Sequence, residues 1–190
     1  MFEKFFEKYP LYHIVKKPTE QQIDSYRNVL PSAIITIWQE YGYGIFADGY
    51  LRFINPDDWT EFVKKYIENT GYEYIPIAVS AFGDLFVWKT KKEGFLELYD
   101  FRHGDFKTVS TSTGLDILFD MDFLDDSFIW DELNASNYKS IKVKLGTPNY
   151  DQCYGYVPLL ALGGRESIEH IQIVDLRVHM ELMAQVSGPL

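Results

Sequence analysis

YIPIAVSAFGDLFVWKTKKEGFLELYDFRHGDFKTVS, residues 74–110, decides the fold. Short runs of Ile, Val, Phe, Trp, Leu and Tyr are cut by Gly83-Asp84, Lys92-Glu93-Gly94 and His103-Gly104-Asp105. β-Favouring runs separated by such turn formers read as an antiparallel meander, with strands expected at roughly 75–81, 84–90, 95–100 and 105–110.

Upstream of the meander the periodicity is helical. Phe2, Phe5, Phe6 and Tyr9 fall at i, i+3, i+4 and i+7, which puts four aromatics on one helix face before Pro10 stops it. Thr19 and Gln22 have the spacing of a capping box, opening a helix to about Val29. Pro31 can occupy the first turn of the next helix, which turns Ile34, Ile37, Trp38 and Tyr41 inward and ends at Gly42. A turn-rich segment from Tyr43-Gly44 leads to a strand at Tyr50 to Ile54. Asn55-Pro56-Asp57-Asp58 then starts a helix expected to run through Trp59, Phe62, Val63 and Tyr66 to Gly71.

Downstream, Thr111-Ser112-Thr113-Gly114 is the best joint in the chain, and it divides a first unit, 1–110, from a second, 111–190, packed closely on it. Residues 1–110 hold 16 acids and 13 bases (net −3); residues 111–190 hold 12 acids and 5 bases (net −7). Between 111 and 138 there are seven acids (Asp116, Asp120, Asp122, Asp125, Asp126, Asp131 and Glu132) and no Lys or Arg, interleaved with apolar residues such as Leu118, Phe119, Phe123 and Leu133. Asp175 can cap a last helix with Leu176, Met180, Met183 and Val186 on one face and Gly188 past its end. The expected class is α+β: N-terminal helices packed on a mainly antiparallel twisted sheet, followed by a smaller, mainly helical, acidic C-terminal region.

Composition narrows the function. A formal charge of −10 repels nucleic-acid phosphates and anionic lipid, so neither is an expected partner. Cys153 is the single cysteine and the N-terminus lacks the apolar run of a signal peptide, so the cytoplasm is the expected compartment. No HExxH pair, complete phosphate-binding glycine loop or calcium-loop spacing is present, and no metal or cofactor is expected. His179 and Asp175 read as an ordinary surface pair on a helix, and Cys153, among Tyr150, Tyr154 and Tyr156, reads as a small core residue rather than a nucleophile paired with His170. A non-enzymatic role is expected.

The run Tyr41-Gly42-Tyr43-Gly44-Ile45-Phe46, followed by Gly49-Tyr50-Leu51-Arg52-Phe53-Ile54-Asn55-Pro56-Asp57-Asp58-Trp59, resembles the GAD-like domain of bacterial immunity proteins, as does Ala81-Phe82-Gly83-Asp84-Leu85-Phe86-Val87-Trp88. Cys153 to Gly164, CYGYVPLLALGG, is similar to the C-terminal domain that accompanies it in immunity proteins against type VI secretion DNase effectors. A weaker likeness, from Leu30-Pro31 through Gly44, is to the SMI1/KNR4-type immunity superfamily. The resemblance implies a protein that binds and silences a cognate secreted toxin, without implying which toxin or which surface.

An acidic surface suits a partner whose active site must be positive to hold phosphates. Asp120, Asp122, Asp125, Asp126, Asp131 and Glu132 are therefore the candidate binding surface, with Tyr43 and Tyr50 as exposed aromatic anchors. The alternative is a small-ligand-binding or scaffold module of SMI1/KNR4 type, which needs a preformed apolar pocket with a few polar groups. Oligomeric state is open at this level.

Overall fold

The computed structural model describes residues 2–90 and 94–190. Its centre is a seven-stranded antiparallel sheet whose spatial order equals its chain order: β1 (His13–Lys16), β2 (Tyr43–Phe46), β3 (Leu51–Phe53), β4 (Glu73–Ser80), β5 (Leu85–Thr90), β6 (Gly94–Asp100) and β7 (Asp105–Thr111). The four meander strands stand within two residues of the sequence expectation; of its turns, Lys92-Glu93 lies outside the described residues. Around the sheet lie α1 (Glu3–Lys8), α2 (Glu20–Tyr26), α3 (Ser32–Glu40), α4 (Thr60–Tyr66), α5 (Leu115–Asp120), α6 (Tyr138–Leu145) and α7 (Leu176–Ser187).

Helix starts follow the capping residues. Thr19 and Gln22 form the reciprocal capping box of α2, and Asn55 accepts the Asp57 amide at the one-turn helix Pro56–Trp59 that precedes α4. α4 stops at Tyr66, short of Gly71, because Ile67 turns extended and Leu190 takes over the next backbone groups: its amide donates to Tyr66 O (3.0 Å), and its carbonyl accepts from Glu68 N (2.7 Å).

The central strands are buried on both sides, with the period of two that a pleated strand imposes. Phe86, Trp88, Leu96 and Leu98 join one core cluster, whereas Leu85, Val87 and Tyr99 join a second. The first cluster is filled from α1, α2, α3, α5 and the segment 123–141; the second is filled from α4 and α7, with Cys153. Each cluster draws on residues from both sides of the Thr111–Gly114 joint.

Four strands were not anticipated, β1 among them. Tyr43–Phe46 forms β2 rather than a turn, and Gly44 explains the misreading: a Cβ there would collide with the backbone of His13 on the neighbouring β1, so glycine serves close strand approach. The C-terminal region, expected to be mainly helical, also contains a hairpin of β8 (Gln152–Tyr156) and β9 (Ile171–Asp175), anchored to the main sheet by Tyr154 N donating to Ala81 O (2.8 Å). Among the described residues no helix is long and apolar enough to cross a membrane.

Candidate partner-binding surface

The acidic segment is fixed to the body by rings. The Phe119 ring centroid lies 4.5 Å from that of Phe2, tilted, and 5.3 Å from that of Phe5, edge to face, and Phe123 lies 5.9 Å from Phe5 and 5.7 Å from Phe128. Phe2, Phe5 and Tyr9 therefore seat residues 119–128, whereas Phe6 stacks on Tyr41 at 4.0 Å. Hydrogen bonds complete the seat: Tyr9 Oη donates to Phe123 O (2.9 Å), and Lys8 Nζ donates to Leu124 O (2.8 Å). Beyond α5 the chain follows short turns, Asp122–Leu124 and Phe128–Glu132, which bury Phe123, Ile129 and Leu133 and turn the carboxylates outward.

The six acids differ in what they do. Asp120 accepts the Phe5 amide (3.1 Å), tying α5 to α1. Asp126 sits between Lys139 and Lys8, 2.5 and 3.2 Å away, and these ammonium groups hold its carboxyl below the usual range. Both are engaged in holding the segment. Asp125 accepts the Ser127 amide (2.9 Å), and the Ser127 side chain and amide together lower its pKa. Glu132 lies 3.7 Å from Lys107.

Asp122, Asp125, Asp131 and Glu132 surround one shallow depression of about 380 Å³ with Met121, Ser127 and Phe128. Asp131 also borders an adjoining polar hollow of about 490 Å³, lined by His103, Asn134, Ser136, Asn137 and Glu166. Glu166 is distant in sequence and reaches this surface through the loop between β8 and β9, so no local pattern marked it.

Tyr43 and Tyr50 are not exposed anchors. They are 1% and 0% exposed, packed among the core rings, and burial pushes both phenols up in pKa. Helices cover the sheet face that β2 and β3 would otherwise present, so their aromatic positions turn inward. Met121, 61% exposed, and half-buried Phe128 supply the apolar contacts of the acidic surface instead. A flexible thioether and a ring edge beside carboxylates suit an interface centre.

The adjoining hollow borders a buried ionic network through His103 and Asn134. Arg102 donates from Nε and Nη2 to the two oxygens of Asp84, both at 2.9 Å, and Ser80 Oγ donates to the same carboxylate (2.6 Å). Burial pushes the Asp84 carboxyl above the usual carboxylate range, and the Arg102 guanidinium and the Ser80 hydroxyl pull it back. Asp100 is also pushed up by burial, but His103, Arg102 and Asn134 outweigh this and hold it well below the usual carboxylate range. Arg102 Nη1 and Asn134 Nδ2 then cross-link the network to the chain that carries Asp131, donating to Asn134 O (3.3 Å) and Asp100 Oδ2 (2.9 Å).

The groups considered for catalysis are placed otherwise. The Cys153 thiol is fully buried and pushed up to about 12 by that burial, so it is a thiol and not a thiolate at neutral pH. His170 Nδ1 is 2.8 Å from Ser167 Oγ. His179 is buried, not on the surface, and Asp175 caps α7 by accepting the Val178 amide.

Residues 1–99 match the GAD-like domain family, and residues 117–187 match the family described as T6SS immunity protein Tdi1, C-terminal. No curated protein matches the sequence. Among solved structures the fold is similar to that of Atu4351 from Agrobacterium tumefaciens, with a TM-score of 0.78 and 19% identity over 97% of this chain and 89% of that one. The chain belongs to the GAD-like domain family, in the form whose second half is a type VI secretion immunity domain.

Proposed function

We propose that this immunity protein neutralises a cognate toxin in the cytoplasm by binding it one to one through the acidic depression, and that the toxin presents a basic, phosphate-handling active site, as a DNase does. The observation that carries the reading is the convergence of Asp122, Asp125, Asp131 and Glu132 around Met121 and Phe128 on one solvent-facing depression. Such a face steers a positive partner during encounter, and the two apolar side chains provide the desolvated centre. With its surroundings it is part of an interface of standard size, about 1,600 Å² in total.

The test combines Asp122→Lys, Asp125→Lys and Asp131→Lys in one variant and co-expresses it with the cognate effector. Growth rescue and co-purification should be lost, and with the purified pair association should slow by about 10-fold or more and lose its salt dependence. Asp126→Asn is the control: its carboxylate already pairs with Lys8 and Lys139, so binding should hardly change. Unaltered affinity and unaltered salt dependence in the triple variant remove the acidic-face reading. The competing reading, a small-ligand module, finds a cleft of about 340 Å³ among Tyr9, Leu11, Tyr50, Ile129 and Tyr138. There, however, Tyr9 and Tyr138 already donate to backbone carbonyls of the protein.

A further inference from the structure

α7 is apolar on two sides. Leu176, Met180, Met183 and Ala184 are buried in the second core cluster, yet Val178, Leu182 and Val186, spaced four residues apart, are 57%, 47% and 41% exposed. Beside this stripe the segment after β8 adds exposed Val157 and Leu162, and together they line a groove of about 440 Å³. The five side chains present on the order of 400 Å² of apolar surface, in the range of the largest patch on a monomer, which is often a functional one. The charges beside the stripe are few: Arg177 pairs with Glu181 at 2.9 Å, and Asp175, which caps the helix, leaves one carboxylate at the end of the groove.

We propose that this groove is covered by the same groove of a second copy of the chain, across a twofold axis passing near Leu182. The stripe is self-complementary: an antiparallel α7 pair sets Val178 of one copy against Val186 of the other and Leu182 against itself, as an isologous contact requires. Mating the two patches removes about 800 Å² from these side chains alone, half of the roughly 1,600 Å² of a standard interface. Charge selects the occupant. A basic toxin is drawn to the acidic depression, whereas two chains of charge −10 meet at low electrostatic cost on a face where, among the described residues, Asp175 is the one carboxylate without an ion pair, its two copies held at opposite ends by the antiparallel pairing. The proposal is independent of the acidic-face reading.

Sedimentation velocity over a wide concentration range tests it, on wild type, Leu182→Glu and Leu182→Cys, with circular dichroism and urea midpoints as fold controls. Wild type should sediment as a dimer. Leu182→Glu, which opposes two carboxylates at the axis, should weaken association at least about 100-fold. Leu182→Cys should give a disulfide-linked dimer under mild oxidation, since Cys153 is buried and silent; this arm stands even if the Glu variant fails to fold. A wild type that stays monomeric, a folded Leu182→Glu that dimerises unchanged, or a Leu182→Cys dimer that does not cross-link overturns the proposal. Loss of toxin binding in a monomeric background would instead give the groove to the toxin.

Discussion

Arg102→Ala should be among the most damaging single substitutions in this chain. The side chains of Arg102 and Asp84 are 2% and 1% exposed and joined by two 2.9 Å hydrogen bonds, with Asp100 Oδ1 at 3.5 Å. Truncation leaves the Asp84 carboxylate in a low-dielectric interior with only Ser80 as a side-chain donor. Breaking a buried pair in this way costs about 3–5 kcal/mol, a large share of the 5–15 kcal/mol typical of a domain. At roughly 2–4 °C per kcal/mol for a chain of this size, the melting temperature should fall by about 6–20 °C. Urea and thermal unfolding measure it. The double variant Arg102→Met, Asp84→Asn should regain much of the loss: it removes both charges and keeps an acceptor for Ser80, while Asp100 retains His103, Asn134 and the amide of Arg102. A single variant that loses under about 1 kcal/mol, or a double variant no more stable than the single, would refute this reasoning. Because Arg102 also holds Asn134 O, the acidic depression should loosen with it, seen as faster amide exchange at residues 131–134.

Further outcomes are expected elsewhere. The hydrogen bond that His103 donates to Asp100 raises the His103 pKa above its ordinary 6.5, so its stabilising contribution is complete below that pH and fades as pH rises through the raised value. His103→Gln should therefore flatten that limb of the urea-midpoint profile, by under about 1 kcal/mol for so solvent-accessible a group. Cys153→Ala should preserve toxin protection, and the native thiol should resist Ellman's reagent until denaturant is added; rapid native labelling would contradict the burial. Gly155→Ala should lower stability and loosen α7, because an added Cβ would stand 2.6 Å from the His179 ring; an unchanged urea midpoint would show that the ring yields freely.

The elements that could be read from sequence are those whose signals are local. The meander declared itself by runs and turn formers, and α2 by Thr19 and Gln22, both of which close the capping box as expected. β2 could not be read because Gly44 answers to His13 on another strand, a contact that no local pattern encodes. The β8–β9 hairpin was hidden by the long loop between its strands. On α7 two apolar stripes share one helix, and periodicity alone cannot tell which of them meets the core; Val186 was assigned inward and is in fact exposed. The same limit sent Tyr43 and Tyr50 outward, since an aromatic beside glycine reads alike in a loop and in a doubly covered sheet. The acids were legible as a cluster, but not the division of labour that leaves Asp120 and Asp126 holding the fold while their neighbours face solvent.

That division has an evolutionary corollary. The stretch from Met121 to Glu132 keeps its course through Phe123, Ile129 and the grip of Lys8 and Tyr9, none of which needs a carboxylate at 122, 131 or 132. Those positions can be rewritten one by one with little penalty to folding, as surface substitutions usually allow. A lineage facing a changed toxin could thus retune the charge and shape it presents while inheriting the scaffold intact.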